Sequence, residues 1–119
     1  MIVTNLLTLH NQLKIHHWQT KSYAEHQAFG GTYDALTEQI DQFVETFMGK
    51  YGRIESRDGF KIELTNYKDM PAIDFVDKYI DYLINDLPKG LEESDTDLFN
   101  IRDEMLGELN KLKYLLTLS

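Results

Sequence analysis

The stretch SYAEHQAFGGTYDALTEQIDQFVETFMG, residues 22–49, places His26, Phe29, Tyr33, Leu36, Ile40, Phe43 and Phe47 at alternating spacings of three and four. That periodicity is one face of a long α-helix. Its start is also written in the sequence. Ser22 and Glu25 stand three apart, as in a capping box where the Ser22 hydroxyl accepts from the Glu25 amide and the Glu25 carboxylate reaches back. A helix is therefore expected from about Tyr23. Gly30-Gly31 weakens it without ending it and leaves room for a neighbouring helix to come close, and Gly49 is a natural stop.

Three further amphipathic segments surround this one. Residues 3 to 20 repeat Val3, Leu6, His10, Leu13 and His17 at helical spacing, widened by Ile2, Leu9 and Ile15, with Thr4 or Asn5 as cap candidates. A third helix begins at Asp69-Met-Pro71, carries Ile73 or Ala72, then Val76, Ile80, Leu83 and Leu87, and ends at Pro88-Lys-Gly90. A fourth follows the caps of Ser94-Asp-Thr-Asp97 and carries Leu98, Ile101, Met105, Leu109, Leu112 and Leu116. Residues 50–70 are the least regular. Arg57-Asp-Gly59 reads as a turn, and Phe60-Lys-Ile-Glu-Leu64 alternates like a short strand. An extended excursion and a short helix both fit there. Four amphipathic helices in 119 residues predict an all-α protein, a single four-helix-bundle domain over 1–119. The long link between the second and third helices predicts a crossover of the ferritin type, with those two helices parallel.

Composition removes several function classes. Twenty acidic residues against twelve basic ones give a net charge of −8, which disfavours a nucleic-acid backbone as partner. No apolar run approaches the ~20 residues of a membrane span. The absence of cysteine and of a recognisable targeting segment fits a cytoplasmic protein, in the host cytoplasm if the source is a virus.

Without cysteine, a metal site must be made of imidazole and carboxylate, a donor set suited to iron, manganese or zinc. The candidate ligands are His17, His26, Asp41 and Glu45. Asp34, Glu38, Asp41 and Glu45 form one row on the second helix, readable either as a solvated face or as a cation site built on Asp41 and Glu45. Histidines on an apolar stripe are in turn either partnered core residues or ligands. Fifteen residues separate His26 from Asp41, about 22 Å at ~1.5 Å per residue, so the two cannot hold one ion within one chain. A site using all four ligands needs a second, antiparallel copy. The expected partner is thus another copy of this chain, at least a dimer.

The sequence His17-Trp18, then His26, then Asp41-x-x-x-Glu45, with Glu25-His26, Tyr33-Asp34 and Ile40-Asp41 around it, resembles the Dps family of mini-ferritins over residues 10–49. In its shortness the chain also resembles the ferritin-like proteins of phages and large DNA viruses. The resemblance implies a ferritin-like bundle with Fe(II)-oxidising sites shared across a dimer. It implies His17 and His26 from one subunit and Asp41 and Glu45 from its mate as ligands, with Trp18 beside them. The interval from His17 to His26 is shorter than in that family, which makes His16 a rival ligand. No Glu-x-x-His pair of the kind ordinary ferritins use is present. The other expectation belongs to a different class: a helical bundle that keeps the scaffold without the chemistry and serves in structure or interaction.

Overall fold

Four α-helices account for most of the structure, a computed structural model that describes residues 1–119. They are α1 (Ile2–Gln19), α2 (Tyr23–Tyr51), α3 (Ala72–Asp81) and α4 (Thr96–Leu115). There is no β-sheet. A short 3-10 turn, Tyr67–Asp69, precedes α3. The third helix continues as a π turn over Tyr82–Asp86 and a 3-10 turn over Leu87–Gly90. The widened turn frees backbone carbonyls from the helical ladder. One of them, that of Leu83, is taken up by Arg102 Nη1 at 3.0 Å.

Side-chain contacts fix the helix directions. The beginning of α4 meets the end of α2 through Lys50 to Asp95 and Asp97, so α2 and α4 are antiparallel. Tyr67 reaches Glu25 at the beginning of α2, and Gly90 lies against Ile2 at the opposite end of the bundle. Helix α3 therefore runs parallel to α2, and the link between them crosses the length of the bundle as predicted. The distance to be covered is that from Tyr51 back to Glu25, about 39 Å at ~1.5 Å per residue. About 15 residues of link cover it at ~2.6 Å each, which leaves little slack below the extended limit of ~3.3–3.6 Å. That requirement explains why Phe60–Leu64 is not helical.

Eighteen buried apolar residues form one core, with Leu6, Leu9 and Leu13 from α1, Phe29, Leu36 and Phe43 from α2, and Met105, Leu109 and Leu112 from α4 among them. The α1 stripe differs from the expected one. Leu6, Leu9, Leu13 and His16 face the core, whereas His10 and His17 sit half-buried on the flank against α2. On α3 the buried row is Phe75, Val76 and Tyr79, and Ile73 is exposed. Helix α2 runs past Gly49 to Tyr51 and stops at Gly52, whose φ of 89° is a positive value that glycine accepts at least cost.

The flank of α1 away from α2 carries polar residues that fasten the link. Buried Gln12 donates to the Thr65 carbonyl and accepts from the Thr65 amide, both at 2.9 Å. Gln19 accepts from the Tyr67 amide at 2.8 Å. At the other end Asp95, itself buried, receives Lys50 Nζ at 2.8 Å, the Tyr51 hydroxyl at 2.5 Å and the Glu92 amide at 2.8 Å. The Lys50 ammonium and these hydrogen bonds hold the Asp95 carboxyl down at about 2.

Candidate metal centre

The short turn between α1 and α2 determines where the first two candidate ligands meet. Ser22 caps α2 by accepting from the Glu25 amide at 3.2 Å, as expected. The return half of the capping box is absent. The Ser22 amide turns to Thr20 Oγ1, and the Glu25 carboxylate accepts the hydroxyls of Thr20 and Tyr67, each at 2.6 Å. Glu25 thus ties the turn to the end of the crossover link, and its hydrogen bond raises the Tyr67 hydroxyl above the ordinary phenol range.

This turn sets His17 and His26 face to face. Their rings stack with centroids 3.8 Å apart and planes 16° from parallel. His17 Nδ1 lies 2.7 Å from the carbonyl of His26, and His26 Nδ1 lies 2.8 Å from the carbonyl of His17. A carbonyl only accepts, so each Nδ1 carries a proton, and the neutral form of each ring has its lone pair at Nε2. Fixing Nδ1–H on a backbone carbonyl is the arrangement that orients an imidazole for binding metal through Nε2. Gly30 makes room for it. A Cβ there would stand 3.0 Å from His17 Cε1 and 3.1 Å from Nδ1. The space that Gly30-Gly31 leaves is filled at Gly30 by a side chain, the His17 imidazole.

The neighbouring residues are aromatic. Tyr33 sets its ring edge-on to His17 at 5.3 Å and to His10 at 5.9 Å, and Lys14 Nζ lies 5.6 Å from the Tyr33 ring centre. His10 Nε2 is 2.7 Å from Thr37 Oγ1. The Thr37 hydroxyl donates to the Tyr33 carbonyl at 2.9 Å, which leaves its oxygen to accept from His10. Partial burial lowers the His10 pKa, with Lys14 acting the same way and the carboxylates of Asp41 and Asp34 opposing. Trp18 stands 66% exposed.

His16, the rival ligand, is completely buried. Its Nε2 is 3.1 Å from the Met70 carbonyl, its Nδ1 is 3.1 Å from Gln12 Nε2, and its ring stacks on Phe75 at 5.7 Å. It is a partnered core residue.

Asp41 and Glu45 are exposed on the far half of α2, as are Asp34 and Glu38. Within one chain no group of three or more His, Asp or Glu side chains converges to hold an ion. The fold therefore brings His17 to His26 and leaves Asp41 and Glu45 as a separate pair. A single chain offers two nitrogen donors at one end and two carboxylates at the other. Sequence reasoning missed the hydrogen bonds that fix both histidine tautomers. The nine-residue spacing across a capped turn was the only signal for them.

Comparison with known proteins finds similarity to a phage protein. It is 26% identical over 107 residues, 86% of this chain and 74% of the relative, to an "Uncharacterized 14.6 kDa protein in mobD-ri intergenic region" of Enterobacteria phage T4. No solved structure matches it. No helix is long and apolar enough to cross a membrane. A family model matches residues 17–116, a span that contains all four candidate ligands. The chain belongs to that family, a family of unknown function (DUF5856).

Proposed function

We propose that two antiparallel copies of this protein bind Fe(II) as substrate at two equivalent shared sites and support its oxidation. Each site takes His17 and His26 from one chain and Asp41 and Glu45 from the other. The observation that carries this reading is the reciprocal His17–His26 pair, in which both Nδ1 atoms are held by carbonyls and both Nε2 lone pairs are kept for a ligand. The exposed Asp41 and Glu45, one helical turn apart, supply the negative charge that a hard divalent cation needs. A two-fold axis that brings His26 to the mate's Asp41 crosses α2 near Asp34, their midpoint. Lys14, beside Tyr33, supplies positive charge close to that crossing. Manganese and zinc suit the same donor set and are the competing ions.

The test is complementation. Asp41→Asn with Glu45→Gln, or His26→Ala alone, should each abolish tight Fe(II) binding in anaerobic calorimetry while helical content is kept. In a heterodimer of the two variants, one site carries both lesions and the other keeps all four ligands, so mixed dimers should recover half of the binding. Demonstrated subunit exchange with no recovery would refute the shared site.

One observation favours the second reading, a bundle for structure or interaction. The same pair of bonds closes the α1–α2 hairpin from within the chain, and Trp18 lies exposed beside it. In that case adding Fe(II) and an oxidant would produce no near-ultraviolet absorbance beyond the metal-only control.

A further inference from the structure

We infer that the crossover link carries a second-copy docking surface, in which residues 60–64 of two chains pair as antiparallel strands about a two-fold axis at Ile62. The segment is neither helix nor turn, and the backbone groups of Phe60–Leu64 make no hydrogen bonds within the chain. In an extended strand the N–H and C=O of one residue point to the same edge, and successive residues alternate edges. Both backbone groups of Thr65 are taken by Gln12 on α1. Lys61 and Glu63 share that edge. The opposite edge carries the backbone of Phe60, Ile62 and Leu64. A row of unbonded N–H and C=O groups of this kind is a template for another strand.

The sequence identifies the occupant as a second copy. Antiparallel pairing centred on Ile62 sets Ile62 against its own symmetry mate, Phe60 against Leu64, and Lys61 against Glu63, each of the last two twice. The apolar pairs thus fall on one face and opposite charges on the other, so the segment Phe60-Lys-Ile-Glu-Leu64 is complementary to itself. Both ends of the apolar row are available, with Phe60 42% and Leu64 40% exposed. Lys61 and Glu63 are exposed as well. A two-fold interface requires self-complementarity of this sort. The contact lies on the flank of α1 opposite α2, needs no metal, and stands or falls separately from the shared iron site.

The charges allow a reversible test with metal chelated throughout. Lys61→Glu places like charges opposite each other twice and should raise the dissociation constant measured by sedimentation by about tenfold. Adding Glu63→Lys to that variant restores opposite charges and should return the constant to near the wild-type value. Register is read separately. The chain has no cysteine, and Ile62→Cys should form a disulfide dimer under mild oxidation, because facing residues in such a ladder lie at ~5.5 Å between Cα atoms. In hydrogen exchange the amides of Phe60, Ile62 and Leu64 should be protected at high micromolar concentration, with those of Lys61 and Glu63 left open. A wild-type chain whose Phe60, Ile62 and Leu64 amides exchange freely at that concentration would overturn the inference. So would a Lys61→Glu variant that associates as well as the wild type with its circular dichroism unchanged.

Discussion

Two adjacent glycines in α2 should respond oppositely to the same substitution, because only one of them touches a histidine. Gly30 and Gly31 lie inside a 29-residue helix, where replacing glycine by alanine ordinarily stabilises by about 0.8–1 kcal/mol. At Gly31 a Cβ would meet nothing within 4 Å, so Gly31→Ala should realise that gain. A chain of 119 residues unfolds with an entropy of about 0.25 kcal/mol/K, so the gain is about 4 °C in Tm. At Gly30 the new methyl group would stand 3.0 Å from His17 Cε1. The ring would have to yield by a few tenths of an ångström while hydrogen-bonded at 2.7 Å and stacked at 3.8 Å on His26. Tilting it off its rotamer costs about 0.5–1.5 kcal/mol, and weakening its hydrogen bond costs a similar amount. Together the two losses, about 1–3 kcal/mol, match or exceed the propensity gain. Gly30→Ala should therefore melt at or below the wild-type temperature, some 4 °C or more below Gly31→Ala, and should bind Fe(II) more weakly. Calorimetric melting of the two variants in chelator decides the first point. An equal rise in Tm for both would refute the claim that Gly30 is a seat for the imidazole.

Two shorter predictions concern charge. Asp95 has its carboxyl depressed from 3.8 to about 2 in the folded state, so its contribution to stability is complete above pH 4 and is lost as pH falls toward 2. Asp95→Asn should melt earlier than the wild type at pH 7, and thermal melts across that acid window should show the gap closing. At a net charge of −8 the protein should not retard duplex DNA in a gel at physiological salt; salt-sensitive retention would contradict that.

The four helices were legible because each carries apolar residues at steps of three and four, and the crossover was legible because a link of that length can span the bundle. Phase was harder to read. On α1, counting His10 and His17 with the apolar residues rotated the centre of the predicted stripe away from His16. Imidazole is amphipathic, and periodicity cannot say whether it faces the core or a seam. On α3, Phe75 and Tyr79 were passed over for Ile73 and Ile80 because β-branched residues satisfied the same spacing. The link's anchors were not legible at all. Gln12 meets Thr65 and Gln19 meets Tyr67 across about fifty residues of sequence, and a lone glutamine on a helix gives no sign of which backbone it will bind. In the candidate centre, the closeness of His17 and His26 followed from the short capped turn, whereas their tautomers depend on ring rotamers that sequence does not specify.

The adjacent histidines His16 and His17 give the sharpest separation of structural from functional roles, since a rotation of ~100° per residue sends one into the core and the other onto the α1–α2 seam. His16 is fully buried among Phe29, Tyr67 and Phe75, and both of its ring nitrogens are partnered. Removing a side chain of that size leaves a cavity and strands Met70 and Gln12. His16→Ala should cost about 3 kcal/mol, or ~12 °C in Tm, by the usual range for large buried side chains. No ion can reach that ring in the folded state, so Fe(II) affinity measured well below the variant's Tm should hold. His17→Ala removes a half-buried ring with one hydrogen bond and a stacked neighbour. It should cost only about 1–1.5 kcal/mol, yet reduce Fe(II) affinity at least tenfold. Melting curves and anaerobic titrations on the same two variants read both quantities. If His16→Ala loses the metal while His17→Ala keeps it, the ligand assignment built on the His17–His26 pair is wrong, because binding would then depend on the histidine the fold has enclosed and not on the one it sets against His26.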